Sequence, residues 1–242
     1  MSMEPDVVRR IADEVHAELI AEFGRDKEEP WAVERLARVM TRLNAARKDC
    51  PPLSAFVLRI PSFTAFTTPG PYVYIGRPLL ERLRSDEATA YVLAHEIAHH
   101  DCGHLDVFAG WMNHLPRGVA GSIAASAFWH LEHRLLGPER ELEADRYAVE
   151  LCLDAGFDGA LCLQVFDVLE HGALDRGDLD AVYGPENLLD PTDPNAGSTL
   201  YALQRWLSTR ARRYVPIRER RDLAWEWLRA RLPERRQGSS NA

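Results

Sequence analysis

The chain has no run of about 20 apolar residues, so no part of it is long enough to span a bilayer as a helix. Its most apolar stretch, Gly118 to Trp129, is much shorter and carries Gly121, Ser122 and Ser126. It reads as a buried core helix, with an apolar wall near a cleft or a hairpin touching a membrane surface as the alternatives. Cysteine is scarce and scattered. Cys50, Cys102, Cys152 and Cys162 form no C-x-x-C pair, which argues against a zinc ribbon. Cys102 and Cys152 fall on apolar helical stretches and read as small core residues. An excess of basic charge is also missing: 29 Lys and Arg against 37 Asp and Glu leave a net charge of −8, which argues against a general nucleic-acid binder. The first residues, Met1 to Asp6, are acidic and lack an apolar core, so no secretory leader is expected and the location reads as cytoplasmic. No internal repeat is present.

What is there is a motif. His95-Glu96-Ile97-Ala98-His99 is an HExxH sequence whose flanks read as a helix. Residues four apart lie on one helical face. Two imidazoles at that spacing can hold one metal ion, with zinc–nitrogen bonds of about 2.0–2.1 Å. Glu96, beside the first His, is poorly placed to join the same coordination, but its carboxylate can reach a water at the metal. Lewis acid, water and general base are the components of metal-assisted hydrolysis. A solvated surface helix can carry the same residues. Here, however, Tyr91-Val92-Leu93-Ala94 precede the motif and Ile97-Ala98 lie within it, so the helix is apolar nearly all round and should be buried. Burying two His and a Glu without partners costs several kcal/mol, and a metal satisfies all three.

A catalytic zinc site usually takes three protein ligands and leaves one position open. The segment Glu139-Arg140-Glu141-Leu142-Glu143-Ala144-Asp145-Arg146 is the candidate source of the third. Gly137-Pro138 reads as a helix start with acids in its first turn. Glu141 and Asp145 share a face, whereas Glu143 points about 160° away from Asp145. Asp145 is a candidate for the carboxylate that accepts the other N–H of a metal-bound His. An acidic, solvated helix start would look similar, so spacing alone leaves Glu141 open.

Along the chain, helical periodicity marks residues 6–23 and 29–47, and Pro51-Pro52 ends that run. Residues 54–60 and 72–75 read as strands joined by a Pro/Gly loop. Helices are expected over 78–84, 86–103, 105–134 with a break at Pro116, 138–155 and 159–171. Residues 172–198 form a long loop rich in Asp, Gly and Pro, read as a connector or a cleft border. Helices near 199–213 and 217–232 close the chain, and 237–242 look disordered. The expectation is one domain over 1–236, with N-terminal helices (1–50), a core (54–172) and C-terminal helices (199–232). Arg205 to Arg236 are Arg-rich: either a solvated, ion-paired face or a patch for an acidic partner or an anionic membrane surface.

Several segments together resemble one family. Thr64-Ala65-Phe66-Thr67-Thr68-Pro69-Gly70-Pro71-Tyr72-Val73-Tyr74-Ile75, then Pro78-Leu79-Leu80, then Leu93 to His99, then Glu141-Leu142-Glu143-Ala144-Asp145-Arg146 match, in order and spacing, the HtpX and CAAX prenyl endopeptidase family of zinc metallopeptidases. The resemblance covers roughly residues 54–155. It implies that Glu141 is the third zinc ligand. Two departures stand out. Thr64 replaces the family's usual Asn, and the C-terminal His-Pro-Pro-x-x-x-Arg segment survives only as Tyr214-Val215-Pro216-Ile217-Arg218-Glu219-Arg220. Tyr214 or Arg220 then becomes the candidate for assisting the transition state in place of the missing His.

The reading is therefore a mostly helical α+β, zincin-like metallopeptidase domain with a small sheet beside the HExxH helix. One Zn2+ is held by His95, His99 and Glu141, with Glu96 as general base. The partner is a peptide or protein substrate, with no nucleic acid and the oligomeric state undetermined. The strand around Tyr72, Val73 and Tyr74, with Ala65 and Phe66 nearby, is expected to be a sheet edge that binds an extended peptide by strand addition. Two rivals remain. One is a latent or inactive zinc-stabilised binding or chaperone-like module. The other is a DNA-linked HExxH protease, disfavoured because His100, His104, His114, His130, His133 and His171 show no matching placement.

Overall fold

The computed structural model of the chain describes residues 5–24, 30–48, 50–60, 63–106, 120–175 and 215–238. Two amphipathic helices come first, α1 (Pro5–Phe23) and α2 (Pro30–Ala46). The Pro51-Pro52 break follows, then three short strands: β1 (Ser54–Leu58), β2 (Ala65–Thr67) and β3 (Tyr72–Gly76). Next come α3 (Arg77–Arg82), α4 (Asp86–Asp101), α5 (Ala120–Asp154), α6 (Gly159–Cys162), α7 (Val165–Asp175) and α8 (Ile217–Gly238). The fold is α+β and mostly helical, as the sequence predicts. Among the described residues, no helix is long and apolar enough to cross a membrane.

The strand order is β1-β3-β2. β1 runs parallel to β3, from Ser54 opposite Tyr72 to Leu58 opposite Gly76, and β2 runs antiparallel to β3 with Ala65 opposite Ile75. This corrects the expected edge. Tyr72, Val73 and Tyr74 lie on the central strand, whose ladder is filled on both sides, and cannot accept a further strand. The cause is β2. Its three residues, all buried, sit in what reads as a Pro/Gly loop and are too few to show a period. Of the five candidate residues, only Ala65 and Phe66 lie at an edge.

The turn after β2 is fixed by close approach. Gly70 has φ +112°, and a Cβ there would lie 2.2 Å from the Cβ of Ala12 on α1. Only glycine has both that backbone freedom and that clearance. On the sheet face beyond, the ring of His16 stacks on Tyr72 at 4.3 Å and its Nδ1 contacts the Tyr74 hydroxyl at 3.0 Å. Tyr72 in turn donates to Asp13 at 2.6 Å. Gly70→Ala should therefore push α1 off the sheet and cost about 1–3 kcal/mol. Urea unfolding checks it: an unchanged midpoint would show that the α1 contact yields without cost.

Gly137-Pro138 behaves as predicted. Gly137 leaves helical geometry (φ 76°, ψ 163°) and kinks α5, and the helix resumes at Pro138. The helix expected over 159–171 is instead two, α6 capped by Asp158 and α7, which runs on to Asp175 into the predicted loop. α8 likewise continues past 232 and takes in Gln237 and Gly238 of the expected tail. The Pro116 break, the 199–213 helix, most of the 172–198 loop and Tyr214 lie outside the described residues. The apolar core joins side chains of α2, the sheet and α4 with Ala148, Val149, Leu151 and Cys152 of α5, Phe166 of α7 and Ala224 and Leu228 of α8.

Candidate metal centre

α4 carries the HExxH sequence, and its ends are secured before any metal is considered. Ser85 caps the N-terminus by accepting from Ala88 N at 3.1 Å, and Asp86 and Glu87 occupy the first turn, where acids complement the helix dipole. Arg38 holds Asp86 with two hydrogen bonds of 2.9 Å. At the other end Asp101 accepts from Arg47 at 2.8 and 2.6 Å and from the Tyr147 hydroxyl at 2.6 Å, tying α4 to α2 and α5. Every residue from Ala88 to His99 is buried, as an all-round apolar helix requires. His100 sets the helix against β2. Thr67 Oγ1 gives its proton to Tyr72 O at 2.9 Å, so in its close contact with His100 Nε2 it accepts. Burial pushes the His100 pKa down to about 4, leaving the ring neutral.

His95, His99 and Glu141 converge at the α4–α5 junction, all buried. His95 Nε2 lies 3.2 Å from His99 Nε2 and 3.5 Å from Glu141 Oε2, and His99 Nε2 lies 3.7 Å from Glu141 Oε1. Tetrahedral coordination with bonds of 2.0–2.1 Å separates ligand atoms by about 3.3 Å. The three donors are thus spaced to hold one small ion with little adjustment. Two imidazoles and a carboxylate suit zinc and leave a fourth position. Glu96, 2% exposed, is buried on the same helix.

Behind these donors stands a buried charge network. His95 Nδ1 lies 3.0 Å from Asp145 Oδ1, at ion-pair distance but off the line of a hydrogen bond. Arg220, from α8, grips Asp145 with hydrogen bonds of 2.6 and 2.8 Å and approaches Glu141 Oε2 at 3.5 Å. Tyr91 also donates to Asp145 at 3.2 Å. Burial opposes a charge on His95, but the Asp145 and Glu141 carboxylates outweigh it and raise its pKa to about 10. Burial opposes a charge on Asp145 too, yet Arg220 and His95 hold its carboxyl below the ordinary range. Arg220→Ala should destabilise the fold by about 3–5 kcal/mol, because it leaves buried carboxylates uncompensated. A denaturant midpoint equal to wild type would show that solvent compensates Asp145.

One pair of residues escaped the sequence reading. α4 ends in a Schellman motif, with Gly103 at φ 69° donating to His100 O at 3.0 Å and His104 N donating to His99 O at 3.0 Å. The turn folds His104 back over His99, Nδ1 to Nδ1 at 2.8 Å, and Glu143 Oε2 lies 3.2 Å from His104 Nε2. Glu143 is half-exposed and away from the three donors, as the helical wheel predicts, but it is connected to them through His104. A glycine just past the helix end, followed by His, was the signal available in the sequence.

The structure thus brings His95, His99, Glu141 and Asp145 together and adds Arg220 from 75 residues downstream of Asp145. It places Arg220 against the carboxylates of Asp145 and Glu141. Thr67, next to the candidate edge residues Ala65 and Phe66, reaches the last turn of α4 through His100. In comparison with known proteins, the model of peptidase family M48, which contains the HtpX and CAAX prenyl endopeptidases, matches residues 26–210. That span is most of the chain and includes the sheet, α4 and the Glu141–Asp145 segment; Arg220 falls beyond it. No curated protein matches the chain.

Proposed function

The chain belongs to peptidase family M48, and from that premise we propose that it is a zinc-dependent endopeptidase using His95, His99 and Glu141 as ligands and Glu96 as general base. The observation that carries this reading is the separation of the three donor groups, 3.2 to 3.7 Å, with Glu96 buried on the helix that supplies two of them. A zinc ion held there would polarise the scissile carbonyl and make a water acidic enough to be deprotonated near neutral pH. Glu96 takes the proton from the attacking water and later delivers it to the leaving amine. Asp145 orients the His95 ring through Nδ1, and His104 does the same for His99. Arg220 holds Asp145 and draws Glu141 toward the donor set, a positioning role rather than one at the reacting carbonyl. Ala65 and Phe66 lie on β2, the edge strand that packs against α4, but both are buried, so this edge is not open to an extended peptide without displacing what covers it.

A loosely folded protein such as casein tests the reading. Zinc-loaded protein should cleave it, a chelator should stop cleavage, and stoichiometric zinc should restore it. Cleavage that survives chelation rules out the metal-dependent mechanism. A well-folded, zinc-binding protein with no cleavage would favour the binding module.

A further inference from the structure

A second cluster of metal-binding side chains lies directly outside the first. Cys102 Sγ, a ring nitrogen of His104 and a carboxylate oxygen of Glu143 all lie within 4.8 Å of one another. Two of the three are fixed by the Schellman turn, where Cys102 N donates to Ala98 O at 2.8 Å and His104 N to His99 O at 3.0 Å. The third is on α5, with its Glu143 Oε2 already 3.2 Å from His104 Nε2 and its side chain 50% exposed. Cys102 is partly exposed and His104 is buried, so an ion can arrive from solvent and meet a preformed face. A thiolate, an imidazole and a carboxylate select zinc or cadmium over magnesium, calcium or manganese.

The two clusters share a proton. His99 Nδ1 and His104 Nδ1 are 2.8 Å apart, and a neutral imidazole carries one N–H. When His99 gives its Nε2 lone pair to an ion, its proton sits on Nδ1 and is donated to His104. His104 then carries its own proton on Nε2, facing Glu143. An ion on His104 Nε2 reverses the chain. The His104 proton moves to Nδ1 and points at His99, whose proton must move to Nε2. That nitrogen faces His95 and Glu141, and its lone pair is then lost to the inner cluster.

We propose that Cys102, His104 and Glu143 form an outer site for a thiophilic divalent cation, and that its occupancy opposes metal binding at His95, His99 and Glu141. The opposition rests on the inner cluster being the zinc site proposed above; the outer site does not. Binding releases the Cys102 thiol proton to solvent and involves no change of oxidation state.

The test titrates cadmium into metal-free, full-length protein under reducing conditions and follows the thiolate-to-cadmium charge-transfer absorption. Wild type should develop about one equivalent of it, and C102A should lose it; C102S should lose it too and serves if C102A does not fold. Absorption retained in both Cys102 variants would assign it to another cysteine and overturn the outer site, as would its absence from wild type. Glu141→Gln weakens the inner cluster and keeps His99, so cadmium should half-saturate the absorption at a concentration at least ~5-fold lower than in wild type. Equal half-saturation would overturn the opposition. Metal counting separates the two readings, because the inner equivalent has no thiolate absorption. C102A should keep it. If C102A binds no metal while wild type absorbs, the inner site fails and the outer site stands.

Discussion

Glu96→Gln should retain the fold and one bound zinc while cleavage of casein falls by about 10²–10⁴-fold. The substitution keeps the size and hydrogen-bonding reach of the side chain and removes only its basicity. Its neighbours on α4 are buried from Ala88 to His99, so a change of shape would be felt in packing, and Gln avoids one. His95, His99 and Glu141 are untouched, so zinc content should not change. The pairing of lost cleavage with retained zinc is what separates a general base from a residue that merely supports the site. Equal cleavage by wild type and variant would trace the activity to a contaminant and end the proposed mechanism. Self-cleavage on long incubation is a second readout when turnover of casein is slow.

The centre of the site was legible because it is local. His95 and His99 share a face by helical geometry alone, and the apolar run around them predicts the burial that the structure shows. Pro138 after Gly137 marks where the second helix begins, which fixes the register of Glu141 and Asp145. What joins these two helices is not local. The resemblance to a C-terminal His-Pro-Pro-x-x-x-Arg segment marks Arg220 as a candidate at the transition state, but nothing in its own neighbourhood points to Asp145 as its partner. Its buried position follows from α8 packing Ala224 and Leu228 into the core, a pattern visible only once the helix has a partner.

The sheet was harder to read for a different reason. A strand of three residues has no period to detect, and β2 is buried throughout, so no alternation marks it. Missing it turns β3 into a false edge. His104 was missed because helix-end chemistry, not spacing, places it. A sequence five residues apart on a continuing helix would point away from His99, whereas the positive φ at Gly103 ends the helix and returns the chain.

With the outer cluster removed by C102A, adding His95→Ala or His99→Ala should abolish stable zinc binding, and with it the increment of stability that zinc adds. With free zinc about 1,000 times its dissociation constant, that increment is about 4 kcal/mol, or on the order of 10 °C in the melting temperature of a chain this size. Each variant should melt at the same temperature with and without zinc, while wild type shifts. The zinc effect in wild type should also depend on pH with a definite sign. Without metal the His95 pKa is raised to about 10, so at neutral pH zinc must displace that proton. Zinc binding should therefore release a proton to the buffer, and apparent affinity should climb as pH rises toward 10. The acidic residues of α5 should follow a graded order. Glu141→Ala should release zinc most readily, and Asp145→Ala should weaken it about 10–100-fold, as expected for the partner of a ligating His. Glu143→Ala should have the smallest effect on the inner donors, because it reaches them only through His104. Calorimetric zinc titration of the three variants checks this order. If Glu143→Ala released zinc most readily, the inner donor set would be wrong, and full zinc occupancy in a His95→Ala/His99→Ala double variant that also carries C102A would remove the metal centre altogether.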